Sequence, residues 1–155
     1  MTTETKATPK ASVFSISSPY LSAGRINIPL AETEDLWLSL KTNAEGGENA
    51  IHKHVKEDHA FIVLEGEVTF FDEKGNETVV KPYQGIMLPK GAYYSYLNTG
   101  GTNLFLLRVG AGARSGQGGG ATRLRPDGQP IPSNTAENHH VDGVPVPGKF
   151  FGAGS

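Results

Sequence analysis

Three histidines, His52, His54 and His59, sit close together in the segment Gly46–Gly66. On an extended strand, residues two apart point to the same face, so His52 and His54 present their imidazoles side by side. Val55–Asp58 is long enough to turn the chain, after which His59 opens a new strand with Phe61 and Val63 on its own face. Three ring nitrogens can then converge on one point, a donor set that suits zinc, iron, copper or nickel. Paired histidines on a strand are also common as plain surface residues. The third histidine, the flanking glycines and the surrounding strand pattern favour a site for one divalent metal.

Other groups near this segment carry less. Glu57 and Asp58 precede His59 and read either as partners that orient an imidazole N–H or as a solvated turn. Arg108 lies in an apolar run and reads as a water-facing edge residue or as the partner of an anionic substrate. His139 and His140 are adjacent, so on an extended chain they point apart and make no site by themselves. Cysteine is absent, which excludes disulfides, thiolate metal sites and cysteine nucleophiles. The Gly-rich stretch 116–120 lacks the lysine and helix of a phosphate loop. A formal net charge of −2 offers no basic excess for nucleic acid or an anionic membrane. No apolar run approaches the length of a membrane span, and no secretory signal is visible, so the expected location is cytoplasmic.

The elements that must position the histidines are short. Twenty glycines and ten prolines in 155 residues cut the chain into segments too brief for helices, and no stretch shows the apolar periodicity of an amphipathic helix. Strand-prone runs are expected at 11–17, 25–29, 35–42, 49–54, 59–65, 67–73, 77–81, 85–88, 92–98 and 103–109. Ser18-Pro19, Gly46-Gly47, Glu65-Gly66, Gly75-Asn76, Pro89-Lys90-Gly91 and Gly100-Gly101 give turn signals between them. Many short strands at this spacing predict an all-β sandwich or barrel. Trp37, Phe61, Phe70, Met87, Tyr96, Phe105 and Leu107 are its expected core. The expected organisation is a disordered N-terminus at 1–10, a barrel at 11–110, and an irregular Gly/Pro-rich tail at 111–155. Phe150 and Phe151 give the tail a reason to dock on the barrel or on a partner subunit.

The segment Gly46-x5-His52-x-His54-x4-His59-x6-Gly66 resembles the first sequence motif of the cupin superfamily, with His59 where the family usually has glutamate. Pro89, Gly91 and Asn98 resemble the second motif, in which Tyr94 stands in place of the usual histidine. The resemblance covers roughly residues 35–110. It implies a double-stranded β-helix, a jelly-roll-like barrel, with His52, His54 and His59 as metal ligands and a homodimer as the common assembly. Tyr94 has three readings: a phenolate ligand, a catalytic residue that exchanges a proton with substrate, or a core aromatic.

Three functions follow. A dioxygenase-type oxidoreductase would use iron, with zinc, manganese, nickel or copper as other candidates, on a small enolisable or phenolic compound. A metal-dependent cyclase, isomerase or lyase would use the ion as a Lewis acid and Tyr94 as acid–base. A non-enzymatic cupin would simply bind a small molecule. A neutral three-histidine set leaves the ion's charge uncompensated, which favours an anionic enolate or phenolate.

Overall fold

A computed structural model describes residues 7–44, 50–112, 123–131 and 140–153. Twelve strands follow one another: β1 Ser17–Ala23, β2 Arg25–Glu32, β3 Leu36–Asn43, β4 His52–His54, β5 Glu57–Glu65, β6 Val68–Phe71, β7 Glu77–Val80, β8 Gly85–Leu88, β9 Tyr93–Asn98, β10 Leu104–Gly112, β11 Arg123–Leu124 and β12 Val144–Gly152. All strand pairs are antiparallel. One five-stranded sheet runs β2-β3-β10-β5-β8, a second runs β11-β4-β9-β6-β7, and β1 pairs with β12 in a third, two-stranded sheet. This is the double-stranded β-helix, and no helix occurs among the described residues.

Alternation decides which side chains fill the space between the two large sheets. Phe61 and Val63 of β5, Val68 and Phe70 of β6, Tyr94 and Tyr96 of β9, and Leu104 and Leu106 of β10 form one buried cluster. Phe61 lies 5.5 Å from Phe70, 5.7 Å from Tyr94 and 5.8 Å from Tyr96, ring to ring. The aromatics thus make an apolar floor at one end, and the polar residues that share the same inward face stand at the other.

Turn chemistry behaves as the sequence suggests at two places. Gly66 adopts φ +92° between β5 and β6, where a Cβ would lie 2.6 Å from the Asn103 carbonyl oxygen. Asp72 accepts from the backbone N–H groups of Lys74 and Asn76, both at 2.9 Å, and closes the β6–β7 turn.

Four expectations are corrected. No strand covers 11–16; β1 instead begins at Ser17 and contains Pro19, read from sequence as a turn. Its proline is tolerated because β1 is paired on one side only. Met87 is 67 % exposed, on the outward face of β8 at the end of its sheet. Leu107 is half-buried rather than core. The tail is not wholly irregular: β11 joins the second large sheet, and β12 pairs with β1 so that Phe151 stacks on Phe105 at 4.0 Å. Residues 1–6, the Gly46-Gly47 turn and the glycines of 116–120 fall outside the described residues.

Gly110, which by composition opens the Gly-rich linker, is part of β10 and faces Trp37 of β3. A Cβ there would meet the indole ring at 2.2 Å, so the position serves close packing. Gly110→Ala should therefore cost about 1–3 kcal/mol through overpacking. Urea denaturation reads this directly, and an unchanged midpoint would contradict the packing role of that glycine.

Candidate metal centre

The site forms where β4, β5 and β9 come together. Strands β4 and β9 pair with His52 opposite Tyr94, and β5 brings Glu57 and His59 on one face, two residues apart. These four side chains and His54 are buried, with His52 1 %, His59 2 % and Glu57 2 % exposed. The His54 and His59 rings stack at 4.1 Å, and His52 lies 5.1 Å from His54 and 4.5 Å from Tyr94, ring to ring. The three sequence-predicted histidines and Tyr94 are thus brought together.

Glu57 is the centre of the hydrogen bonding. Its Oε1 accepts from His54 Nδ1 at 3.0 Å and from His59 Nε2 at 3.3 Å. Of the two readings of this segment, Glu57 is thus the partner that orients the imidazoles, and it lies at the start of β5, which begins two residues earlier than expected. Asp58 points to the other face, exposed, and accepts from the Lys90 backbone N–H at 2.9 Å.

These bonds set the tautomers. His52 Nδ1 donates to the Ala50 carbonyl at 2.7 Å, which leaves Nε2 as the lone-pair nitrogen, and that atom is buried without a protein partner. His54 donates through Nδ1 to Glu57, so its Nε2 is also a lone pair, reached by the Tyr94 hydroxyl at 3.4 Å. Both rings thus have the arrangement of metal-binding histidines, one N–H tied to a carbonyl or carboxylate and the other nitrogen free to ligate. His59 differs: Arg108 Nε donates to its Nδ1 at 3.2 Å. His54, Glu57 and His59 also make a three-donor cluster of their own, with ligand atoms within 4.8 Å of one another. The donor chemistry of this cluster fits a metal ion, whereas His52 is not among the side chains whose ligand atoms lie together.

Burial decides the protonation states. It lowers the His54 imidazole to about 3 and the His59 imidazole to about 4, against the raising effect of the Glu57 bond. His52 is held well below the ordinary histidine range by burial and then by the Arg123 charge. Burial by itself would raise Glu57, but the hydrogen bonds from His54 and His59 outweigh it and hold the carboxyl well below its usual range. The cluster is therefore three neutral imidazoles around one carboxylate, rather than an uncharged three-histidine set. Burial raises the Tyr94 hydroxyl, so it keeps its proton.

Three cations complete the surroundings, Arg123 buried and Lys41 and Arg108 half-buried. Arg108 belongs to β10, an inner strand of its sheet, and not to a water-facing edge. Lys41 and Arg123 were not legible as site residues. Lys41 shares the inward face of β3 with Trp37, a signal that alternation does provide. Arg123 sits opposite His54 through the β11–β4 pairing, beyond a Gly-rich stretch that gives no hint of it. His140 bonds to Asp142 at 2.8 Å and to Arg25, while His139 lies outside the described residues.

A family model described as a cupin domain matches residues 40–110. No curated protein matches the chain. Among solved structures, a protein with a double-stranded β-helix domain from Klebsiella pneumoniae is similar with a TM-score of 0.56 and 22 % identity, over 61 % of this chain and 78 % of that one. The protein TT1209 from Thermus thermophilus gives 0.56 and 25 %, over 61 % and 90 %. A candidate sugar phosphate isomerase from Acidithiobacillus ferrooxidans gives 0.52 and 26 %, over 56 % and 58 %.

The neutral histidines make the metal-free protein sensitive to acid. Their folded-state values lie below the unfolded value near 6.5, so the unfolded chain binds more protons between about 6.5 and about 4, and stability falls as pH drops through that window. Urea unfolding of EDTA-treated protein should show a midpoint that declines steadily from pH 7 to pH 4. A flat profile over that range would contradict buried neutral imidazoles.

Proposed function

We propose that the chain, whose residues 40–110 match a cupin-domain model, is a metal-dependent enzyme, a dioxygenase-type oxidoreductase acting on a small enolisable or phenolic compound. The metal is one divalent transition ion, iron favoured, held by His52, His54 and His59, with Glu57 fixing the imidazole of His54 and with His59 exchanging its bond from Arg108 for the ion. The observation that carries the metal reading is His52 Nε2, a lone-pair nitrogen buried with no protein partner, since such an atom is costly unless a ligand takes it. A specific observation favours a second donor set, His54, Glu57 and His59, whose ligand atoms lie together.

A bound redox-active ion would supply a positively charged anchor for two substrate oxygens and an electron path to dioxygen. The chain's own residues do the rest. Tyr94, with its hydroxyl 3.4 Å from His54 Nε2, acts as a hydrogen-bond and proton donor beside the site. Phe61 and Phe70, packed against Tyr94 at 5.7 and 6.3 Å ring to ring, keep water from the apolar side of the site. The redox-neutral alternative, a cyclase, isomerase or lyase, uses the same residues with Tyr94 as acid–base, and one structural neighbour is described as a candidate isomerase.

Elemental analysis of unsupplemented protein should find close to one metal per chain. His52→Ala and His54→Ala should each lower metal content at least about tenfold, as loss of a ligand does in such sites. If His52→Ala retains metal while Glu57→Gln loses it, the second donor set is the right one. If the His52→Ala, His54→Ala double variant stays fully loaded, neither set holds the ion.

The reaction is tested with an oxygen electrode and a panel of diketones and phenols. Iron-loaded protein should consume oxygen with substrate, and Tyr94→Phe should slow turnover by roughly 10²–10⁴-fold, the usual contribution of a positioned acid–base group, with metal content unchanged. Anaerobic turnover at the aerobic rate, with zinc sufficient, would reject the dioxygenase and favour the redox-neutral enzyme.

A further inference from the structure

The inward face of the barrel carries more positive charge than its buried carboxylate can balance. Lys41 of β3, Arg108 of β10 and Arg123 of β11 reach it from three strands. Arg108 stands opposite Ser39, two residues from Lys41 on the same face of β3. Arg123 stands opposite His54. Glu57 is the only buried acidic side chain among the described residues, and its Oε1 already accepts from His54 and His59. Arg25, a further nearby cation, donates to His140.

Several donors in this region lack partners. Arg123 is 5 % exposed, yet its Nε and Nη1 are buried without a hydrogen bond. The Ser39 hydroxyl, beside Arg108 across the β3–β10 ladder, is likewise buried and unpaired. Leaving a charged donor buried and unpaired costs more than leaving a neutral one, and a guanidinium fork matches the two oxygens of a carboxylate or phosphate. Burial, and then the charges of Arg108, Arg123 and Arg25, hold the Lys41 ammonium well below the ordinary lysine range.

We propose that Lys41, Arg108 and Arg123, with the Ser39 hydroxyl, form a subsite for an oxyanion, so that the natural ligand carries a carboxylate or phosphate group next to the portion that faces the histidines. As a substrate subsite it rests on the metal-enzyme reading; as an anion site it stands on these four residues. It narrows the substrate class from enolisable or phenolic compounds in general to small acids of that kind, and it excludes neutral diketones as the physiological ligand. The negative group offsets the repulsion among the cations and fixes which end of the molecule enters.

The test uses the full chain after EDTA treatment, so that no metal contributes. Isothermal titration calorimetry with malonate, inorganic phosphate and the neutral dimethyl malonate should show one site per chain for at least one of the two anions and none for the diester. The tighter anion identifies the group as carboxylate or phosphate. Lys41→Met and Arg123→Gln should each weaken that binding about tenfold or more, as expected when a charge-assisted hydrogen bond is lost, while Arg123→Lys retains part of it. Absence of saturable binding by both anions overturns the proposal. So does undiminished binding in Lys41→Met, whose removal of a crowded charge should leave the fold intact. Metal content measured on untreated protein reports separately on the metal reading, so an anion site without metal, or metal without an anion site, tells which of the two has failed.

Discussion

The buried carboxylate of Glu57 is the contact on which the rest of the site depends. A carboxylate taken out of water is costly unless it is hydrogen-bonded by well-placed donors. Here two imidazole N–H groups supply them. Those same bonds choose the tautomers: they turn the lone pair of His54 toward Tyr94 and leave that of His59 for Arg108. One acidic residue at the start of β5 thus organises side chains from four strands. It also explains why neutral histidines are tolerated so close to Arg108 and Arg123, since the local sum of charge contains a negative centre.

The aromatic floor and the polar mouth are two consequences of one strand pattern. On β5 the inward series is Glu57, His59, Phe61, Val63, and on β9 it is Tyr94, Tyr96, Asn98. On β5 the inward series therefore changes from polar to apolar away from the histidines, whereas on β9 the two tyrosines lead to the buried Asn98. The Tyr96 hydroxyl donates to Asn43 at 3.3 Å, and the Asn98 side chain donates to the carbonyls of Asn43 and Thr102. The far end of the barrel is thus closed by a hydrogen-bonded asparagine network, and chemistry is confined to the histidine end.

Much of the fold was legible because period-two alternation and turn residues are local signals. The strand β8 falls where its apolar run predicted, and Gly66 and Gly75 make the turns their type implies. Of the site, the histidines and Tyr94 were legible because His-x-His and the two motifs lie on contiguous segments. Glu57 was visible but ambiguous, since whether a carboxylate beside a histidine faces in or out depends on a one-residue choice of strand start. Lys41 was legible only as an inward position on β3, and Arg123 not at all, because what links either to the site is tertiary. They come from strands that reach the centre only through pairing with β10 and β4. The β12 strand was missed for a related reason: Pro145 and Pro147 argue against a strand unless it lies at an edge, and edge position is not written in local sequence.

The pairing of β1 with β12 bears on how the chain can be cut and rejoined. Ser17 lies opposite Gly152, so the outer ends of these two strands are neighbours in space. A short linker could span them, and new termini could open at the exposed Asp72–Asn76 turn, where Gly75 has open space around its Cα. Exposed turn tips of this kind are where circular permutation succeeds. Every strand that carries a site residue would remain unbroken in the rearranged order. The centre is thus a property of sheet geometry rather than of chain connectivity, and a permuted chain should rebuild it.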